Sequence, residues 1–114
     1  MRIGVPTEIK NNENRVAITE AGVFELVGRG HEVLVQSGAG LGSSITDAEY
    51  AAAGATIVQE ATDVWATAEL ILKVKEPAVS EYPLMREGQL LFTYLHLAAS
   101  RECTEAIIDS GITA

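Results

Sequence analysis

The sequence predicts an α/β domain: a mostly parallel sheet with helices on both faces, flavodoxin/Rossmann-like, and incomplete at its C-terminal end. Three observations carry this expectation. Short apolar runs alternate with helix-patterned stretches along the whole chain. The runs are nearly continuously apolar, as strands covered on both faces must be, instead of alternating apolar with polar. Capping residues and glycines stand at the helix ends. The order reads β-α-β-α-β-α-β-β-α, with a further strand beginning at the end of the chain.

Each element has its own signal. Arg2 to Val5 is a β-like run closed by Pro6, and Thr7 to Arg15, with Asn11, Asn12 and Asn14, is a polar loop. Thr19 is the expected N-cap of a helix in which Val23, Leu26 and Val27 recur at helical spacing; Gly28 and Gly30 mark its exit. Val33 to Val35 forms the second strand, followed by a Gly-rich turn, Gly38 to Ser44. Thr46 and Glu49 have capping-box spacing ahead of a short helix that Gly54 ends. Ala55 to Val58 is the third strand, Thr62 to Ala68 a short helix, and Leu70 to Val74 the fourth strand, ended by Glu76-Pro77. Leu90 to Leu95 is the fifth strand. Ser100 caps a last helix with Cys103, Ala106 and Ile107 on its apolar face, Gly111 ends that helix, and Ile112-Thr113 begins the next strand.

Composition narrows the function. The chain has 114 residues, enough for one hydrophobic core, so residues 1–114 are expected to form a single domain or part of one. Sixteen acidic residues against 8 basic ones give a formal charge of -8, which argues against nucleic-acid binding and against a polybasic membrane-surface role. A single cysteine, Cys103, excludes an intrachain disulfide and a multi-cysteine zinc site, and its apolar setting marks it as a small buried hydrophobe. No stretch is long enough to span a membrane, and Met1 to Pro6 carries no secretory h-region. A cytoplasmic setting is expected. No set of His, Asp or Glu has metal-ligand spacing.

In open parallel sheets, ligands bind beyond the carboxyl ends of the strands. Three charged or titratable residues follow strands there: Arg15 in the loop after the first, Lys75 at the end of the fourth, and His96 after the fifth. Each also has a plain structural reading: a solvated loop arginine, a wet strand end that Lys73 shares, and a core histidine. His31, between a glycine and a strand, reads as a turn residue. The Gly38-Ala39-Gly40-Leu41-Gly42-Ser43 stretch is a poor dinucleotide fingerprint, because Ser43 stands where a third small residue belongs and the loop follows the second strand.

Several motifs together closely resemble the opening of the bacterial L-alanine dehydrogenases. They are Arg2-Ile3-Gly4-Val5-Pro6-Thr7-Glu8, Asn11-Asn12-Glu13-Asn14-Arg15-Val16-Ala17, Gly30-His31-Glu32-Val33-Leu34-Val35, Ser37-Gly38-Ala39-Gly40, Leu72-Lys73-Val74-Lys75-Glu76-Pro77 and Phe92-Thr93-Tyr94-Leu95-His96-Leu97-Ala98-Ala99. The resemblance implies a cytoplasmic, homohexameric enzyme that interconverts L-alanine and pyruvate with NAD(H) and ammonia. It implies that Arg15 holds the substrate carboxylate, that Lys75 contacts the carboxylate or keto oxygen, and that His96 moves a proton. Family chains are longer and continue into a Rossmann domain that binds NAD. The resemblance therefore implies a substrate-binding portion here, inactive by itself, with no cofactor-binding residue of its own and no clear acidic partner for His96; Glu76 reads as a turn or ion-pair residue. Two alternatives stand beside it: the corresponding region of a proton-translocating NAD(P) transhydrogenase subunit, and a non-catalytic small-molecule-binding domain.

Overall fold

The computed structural model describes residues 1–10, 13–94 and 101–114. Among these residues five strands form one sheet: β1 (Arg2–Val5), β2 (Glu32–Gln36), β3 (Thr56–Val58), β4 (Leu70–Lys75) and β5 (Leu90–Tyr94). Their order is β3-β2-β1-β4-β5 and every pairing is parallel. The chain builds outward from β1 to β3, then crosses back to place β4 on the other side of β1. That reversal opens a crevice at the carboxyl ends of β1 and β4, the topological switch point of an open sheet.

Among the described residues three α-helices connect strands, α1 (Glu20–Gly28), α2 (Asp47–Ala52) and α3 (Ala61–Thr67), and a fourth, α4 (Arg101–Ser110), follows β5. Their ends follow the expected chemistry. Thr19 caps α1 through its hydroxyl, which accepts from the Gly22 amide at 3.1 Å. Thr46 and Glu49 close a reciprocal capping box on α2, each bond 3.1 Å long. At the C-terminus of α3, the Gln89 amide nitrogen donates to the carbonyls of Trp65 and Ala68 at 2.7 and 2.9 Å, satisfying groups that the helix itself leaves unpaired.

The strand pleat sends alternate residues to opposite faces, and each face has its own core. On one side Val5, Val33 and Val35 pack with Val23 of α1 and Tyr50 of α2. On the other, Ile71 and Leu91 pack with Val64, Trp65 and Ala68 of the α3 region and with Met85. Gly4 permits the second layer, because a Cβ there would lie 2.7 Å from the Ala68 Cβ and 2.8 Å from Val64. Cys103 is buried, as its apolar setting implied, and Ala106 and Ile107 of α4 pack against the second core.

The elements match the expected order, with differences at their margins. Lys75 is the last residue of β4 and Ala55 lies outside β3. A 3-10 segment, Val79–Leu84, has no counterpart in the sequence reading. Where a further strand was expected at Ile112-Thr113, the chain makes a single isolated parallel bridge, Thr113 to Leu90, beside β5. The expected fifth-strand end at Leu95 and the Ser100 cap lie outside the described residues.

Candidate functional site

The loop after β1 returns Glu8, Glu13 and Arg15 to the carboxyl end of β4, where two ionic groups form. The first is buried. Glu8 accepts hydrogen bonds from the backbone amides of Val74 and Lys75 at 3.0 and 3.1 Å, and from the Lys73 ammonium at 3.2 Å. The Lys73 ammonium also lies 3.4 Å from Glu81 in the 3-10 segment. Isolated charges in such a place would be strongly disfavoured; sharing one cation between two carboxylates is what keeps this group inside the protein. Burial pushes the Glu81 carboxyl above its ordinary range, against the pull of Lys73.

The second group faces outward. Glu13 holds the Arg15 guanidinium by two parallel bonds, Nη2 to Oε1 at 2.8 Å and Nε to Oε2 at 2.9 Å, and its Oε2 also accepts from the Arg15 amide at 2.8 Å. The Lys75 ammonium stands 3.7 Å from Glu13 Oε1. The Glu13 carboxylate is itself only 3% exposed, whereas the Arg15 and Lys75 side chains are 68% and 36% exposed. The hydrogen bonds from Arg15 hold the Glu13 carboxyl down at about 2, so it is ionised at any ordinary pH. Arg15 and Lys75, distant in sequence, thus meet through one carboxylate. Lys73 and Lys75 take different partners at different depths. His96, the third expected site residue, lies outside the described residues, as do Asn11 and Asn12 of the loop motif.

Two cavities adjoin this group. A larger one, about 750 Å³, runs from Arg15 and Val16 over Ile45 to Leu72, Val74, Phe92 and Thr93. A smaller one, about 150 Å³, lies among Thr7, Glu8, Glu13, Asn14, Arg15 and the glycine loop. The Thr7 and Thr93 hydroxyls, one lining each cavity, are buried without a hydrogen-bond partner among the described residues. A guanidinium and an ammonium side by side suit a small carboxylate by charge, while the Nε–Nη2 edge of Arg15 is taken by Glu13 in this structure. The cavity offers apolar walls to the rest of such a molecule.

The glycine loop has a different task from cofactor binding. It forms a 3-10 turn, Leu41–Ser43. A Cβ on Gly40 would meet Tyr50 at 2.6 Å and the Ile45 carbonyl at 2.7 Å; one on Gly42 would meet the Asn14 carbonyl at 2.5 Å. The space left by both missing side chains is filled by the protein, not kept for a pyrophosphate. The Ser43 hydroxyl donates to the same Asn14 carbonyl at 3.1 Å. The residues present do not fit a dinucleotide; the loop instead presses on the segment that carries Arg15. Three other residues behave as expected. His31 follows the turn at Arg29-Gly30, half-buried beside the N-terminal amine, Glu76 is ion-paired with Lys10 at 3.5 Å, and burial pushes the Cys103 thiol up.

Sequence reasoning missed Glu8, Glu13 and Glu81. The first two sit in a polar loop and the third in an unrecognised turn, and nothing local marks them as buried. Their one sequence signal is an excess of acidic residues near three site-side lysines and an arginine, which has meaning only once the fold joins them.

Comparison with known proteins bears on this site. Residues 4–114 match the family model described as alanine dehydrogenase/PNT, N-terminal domain. The chain is 66% identical over 113 residues to an alanine dehydrogenase of Mycobacterium tuberculosis (strain ATCC 25618 / H37Rv), covering 99% of this chain and 30% of that protein. It is 55% identical over 114 residues to an alanine dehydrogenase of Bacillus subtilis (strain 168), again 30% of its length. Among solved structures, an L-alanine dehydrogenase superposes with a TM-score of 0.95 at 50% identity, over 98% of this chain and 31% of that one. A transhydrogenase from Sinorhizobium meliloti superposes with a TM-score of 0.91 at 33% identity, over 98% and 32%. The chain therefore spans about 30% of the length of the curated relatives it matches.

Proposed function

This chain belongs to the alanine dehydrogenase/PNT N-terminal domain family, and from that premise we propose that residues 1–114 are the N-terminal, substrate-binding portion of an NAD-dependent L-alanine dehydrogenase. The reaction is L-alanine, NAD and water to pyruvate, ammonia and NADH. One observation carries the reading: Arg15 and Lys75 converge on a shared carboxylate at the switch-point crevice, a cationic group beside a cavity that Arg15 lines. In this reading Arg15 holds the substrate carboxylate, Lys75 polarises the carboxylate or keto oxygen, and His96 transfers the proton as the carbinolamine forms and collapses. The higher identity to an alanine dehydrogenase structure, 50% against 33% for the transhydrogenase, supports this assignment over the transhydrogenase alternative.

NAD is assigned to the part of the relatives' length beyond this chain, since the glycine loop does not fit it. The enzyme is further proposed to be a cytoplasmic homohexamer without nucleic-acid or membrane partners. Among the described residues no helix is long and apolar enough to cross a membrane. The test is alanine-dependent NADH production by the full-length protein. Turnover is expected, with His96→Gln lowering kcat about a hundredfold or more, the usual scale of acid–base help. No turnover of alanine, or full activity in His96→Gln, contradicts the assignment.

A further inference from the structure

We propose that Glu13 is the residue that sets the charge specificity of this site: it reduces the outward-facing pair, Arg15 and Lys75, to one net positive charge, matching a substrate with one carboxylate and disfavouring one with two. This rests on the proposed function for the identity of the site and goes beyond it in naming what selects the substrate class.

The geometry supports a fixed, ionised Glu13. Its two oxygens take three hydrogen bonds from Arg15 at 2.8–2.9 Å and one ion pair from Lys75 at 3.7 Å, while its side chain is almost wholly covered. A carboxylate held so tightly is part of the wall, not a mobile counter-ion. Its hold on the Nε–Nη2 edge of Arg15 also fixes the plane of the guanidinium. Counting charges, Arg15 and Lys75 contribute two and Glu13 removes one. A monocarboxylate then neutralises the site. A dicarboxylate leaves it with an excess negative charge facing the Glu13 carboxylate. The buried Glu8–Lys73–Glu81 group adds its own field, but it is tied to the strand end and is the same whatever stands at position 13. For a second substrate carboxylate about 6 Å away, at an effective dielectric of about 40, between that of a protein-surface pair and that of water, removing a unit charge is worth about a factor of ten.

The experiment uses the full-length protein and measures the pyruvate KM and the inhibition constant of oxaloacetate against pyruvate, in wild type, Glu13→Gln and Glu13→Asp. In Glu13→Gln the oxaloacetate constant should fall about tenfold relative to the pyruvate KM, which itself rises severalfold as Arg15 loses its brace. Glu13→Asp keeps the charge but not the reach, so its pyruvate KM should rise while the ratio stays within about twofold of wild type. A merely structural Glu13 would move stability and both constants in parallel, leaving the ratio unchanged in both variants, and that overturns the proposal. If Glu13→Gln does not fold, Glu13→Ser removes the charge with a smaller side chain and is read in the same way: a ratio that stays at the wild-type value overturns the proposal. A pyruvate KM that Arg15→Lys leaves unchanged is the separate failure of the site assignment itself.

Discussion

Gly42→Ala perturbs the site without touching any residue assigned to it. Gly42 does not have a positive φ, so alanine meets no backbone penalty there and the effect is steric. The added Cβ would sit 2.5 Å from the Asn14 carbonyl oxygen and 3.0 Å from the Asn14 Cα and Cβ. A relaxed carbon–oxygen approach is about 3.3 Å, so the glycine loop and the Asn14 segment must part by about 0.8 Å. The obstacle is backbone, which cannot swing aside as a side chain would. Overpacking of this kind costs about 1–3 kcal/mol. Asn14 directly precedes Arg15, so the displacement passes to the guanidinium, and a misplacement of about 1 Å costs about a hundredfold in a well-oriented site. In the full-length protein, Gly42→Ala should lower kcat/KM for pyruvate between about tenfold and a hundredfold, mainly through KM. Gly28→Ala is the control. It closes α1 with nothing within 4 Å of the new Cβ, and should leave kinetics unchanged while holding or raising stability. Wild-type kinetics and an unchanged melting temperature in Gly42→Ala would refute the coupling between the loops.

Lys73→Ala strands two buried carboxylates and should cost about 3–5 kcal/mol in denaturant unfolding, whereas Lys75→Ala, whose partner Glu13 stays bonded to Arg15, should cost under about 1 kcal/mol yet raise the pyruvate KM more. Equal stability losses contradict the division between the two lysines. Tyr50→Phe removes the 2.7 Å bond from the buried phenol to the Ile18 carbonyl and should cost about 1 kcal/mol at neutral pH. Burial, helped by Glu20, pushes the Tyr50 phenol up to about 12. A raised folded value means its contribution is whole below the ordinary value near 10 and is lost as pH rises through about 12. Wild type should therefore lose stability between about pH 10 and 12 more steeply than Tyr50→Phe, and matching pH profiles would contradict this.

Much of the fold was legible because its signals are local. Thr19, Thr46 and Glu49 act as caps wherever the helices finally pack, and Val33 to Val35 reads as buried strand without knowing its neighbours. Strand order was not legible, since nothing within Arg2–Val5 says that it will pair with both Glu32–Gln36 and Leu70–Lys75. The 3-10 segment Val79–Leu84 escaped because it contains Pro83 and has no helical apolar period. At the site, the rule that ligands bind at carboxyl strand ends singled out Arg15 and Lys75 at one sheet edge, and the structure joins them through Glu13. The joining group was invisible because a glutamate in a polar loop looks solvated until β4 arrives beside it. The glycine loop was correctly read as a turn. Its pressure on Asn14 depends on a contact between two loops, and no spacing in either of them encodes that.

The convergence of Arg15 and Lys75 on one carboxylate at the switch point has a direct kinetic test in Arg15→Lys, measured as the pyruvate dependence of NADH oxidation by the full-length protein with ammonia in excess. Lysine keeps the positive charge but cannot offer two parallel N–H donors to a planar carboxylate. The apparent KM for pyruvate should rise at least tenfold with kcat largely kept. An unchanged KM and kcat would remove Arg15 from the site and contradict the substrate-binding role assigned to this part of the chain.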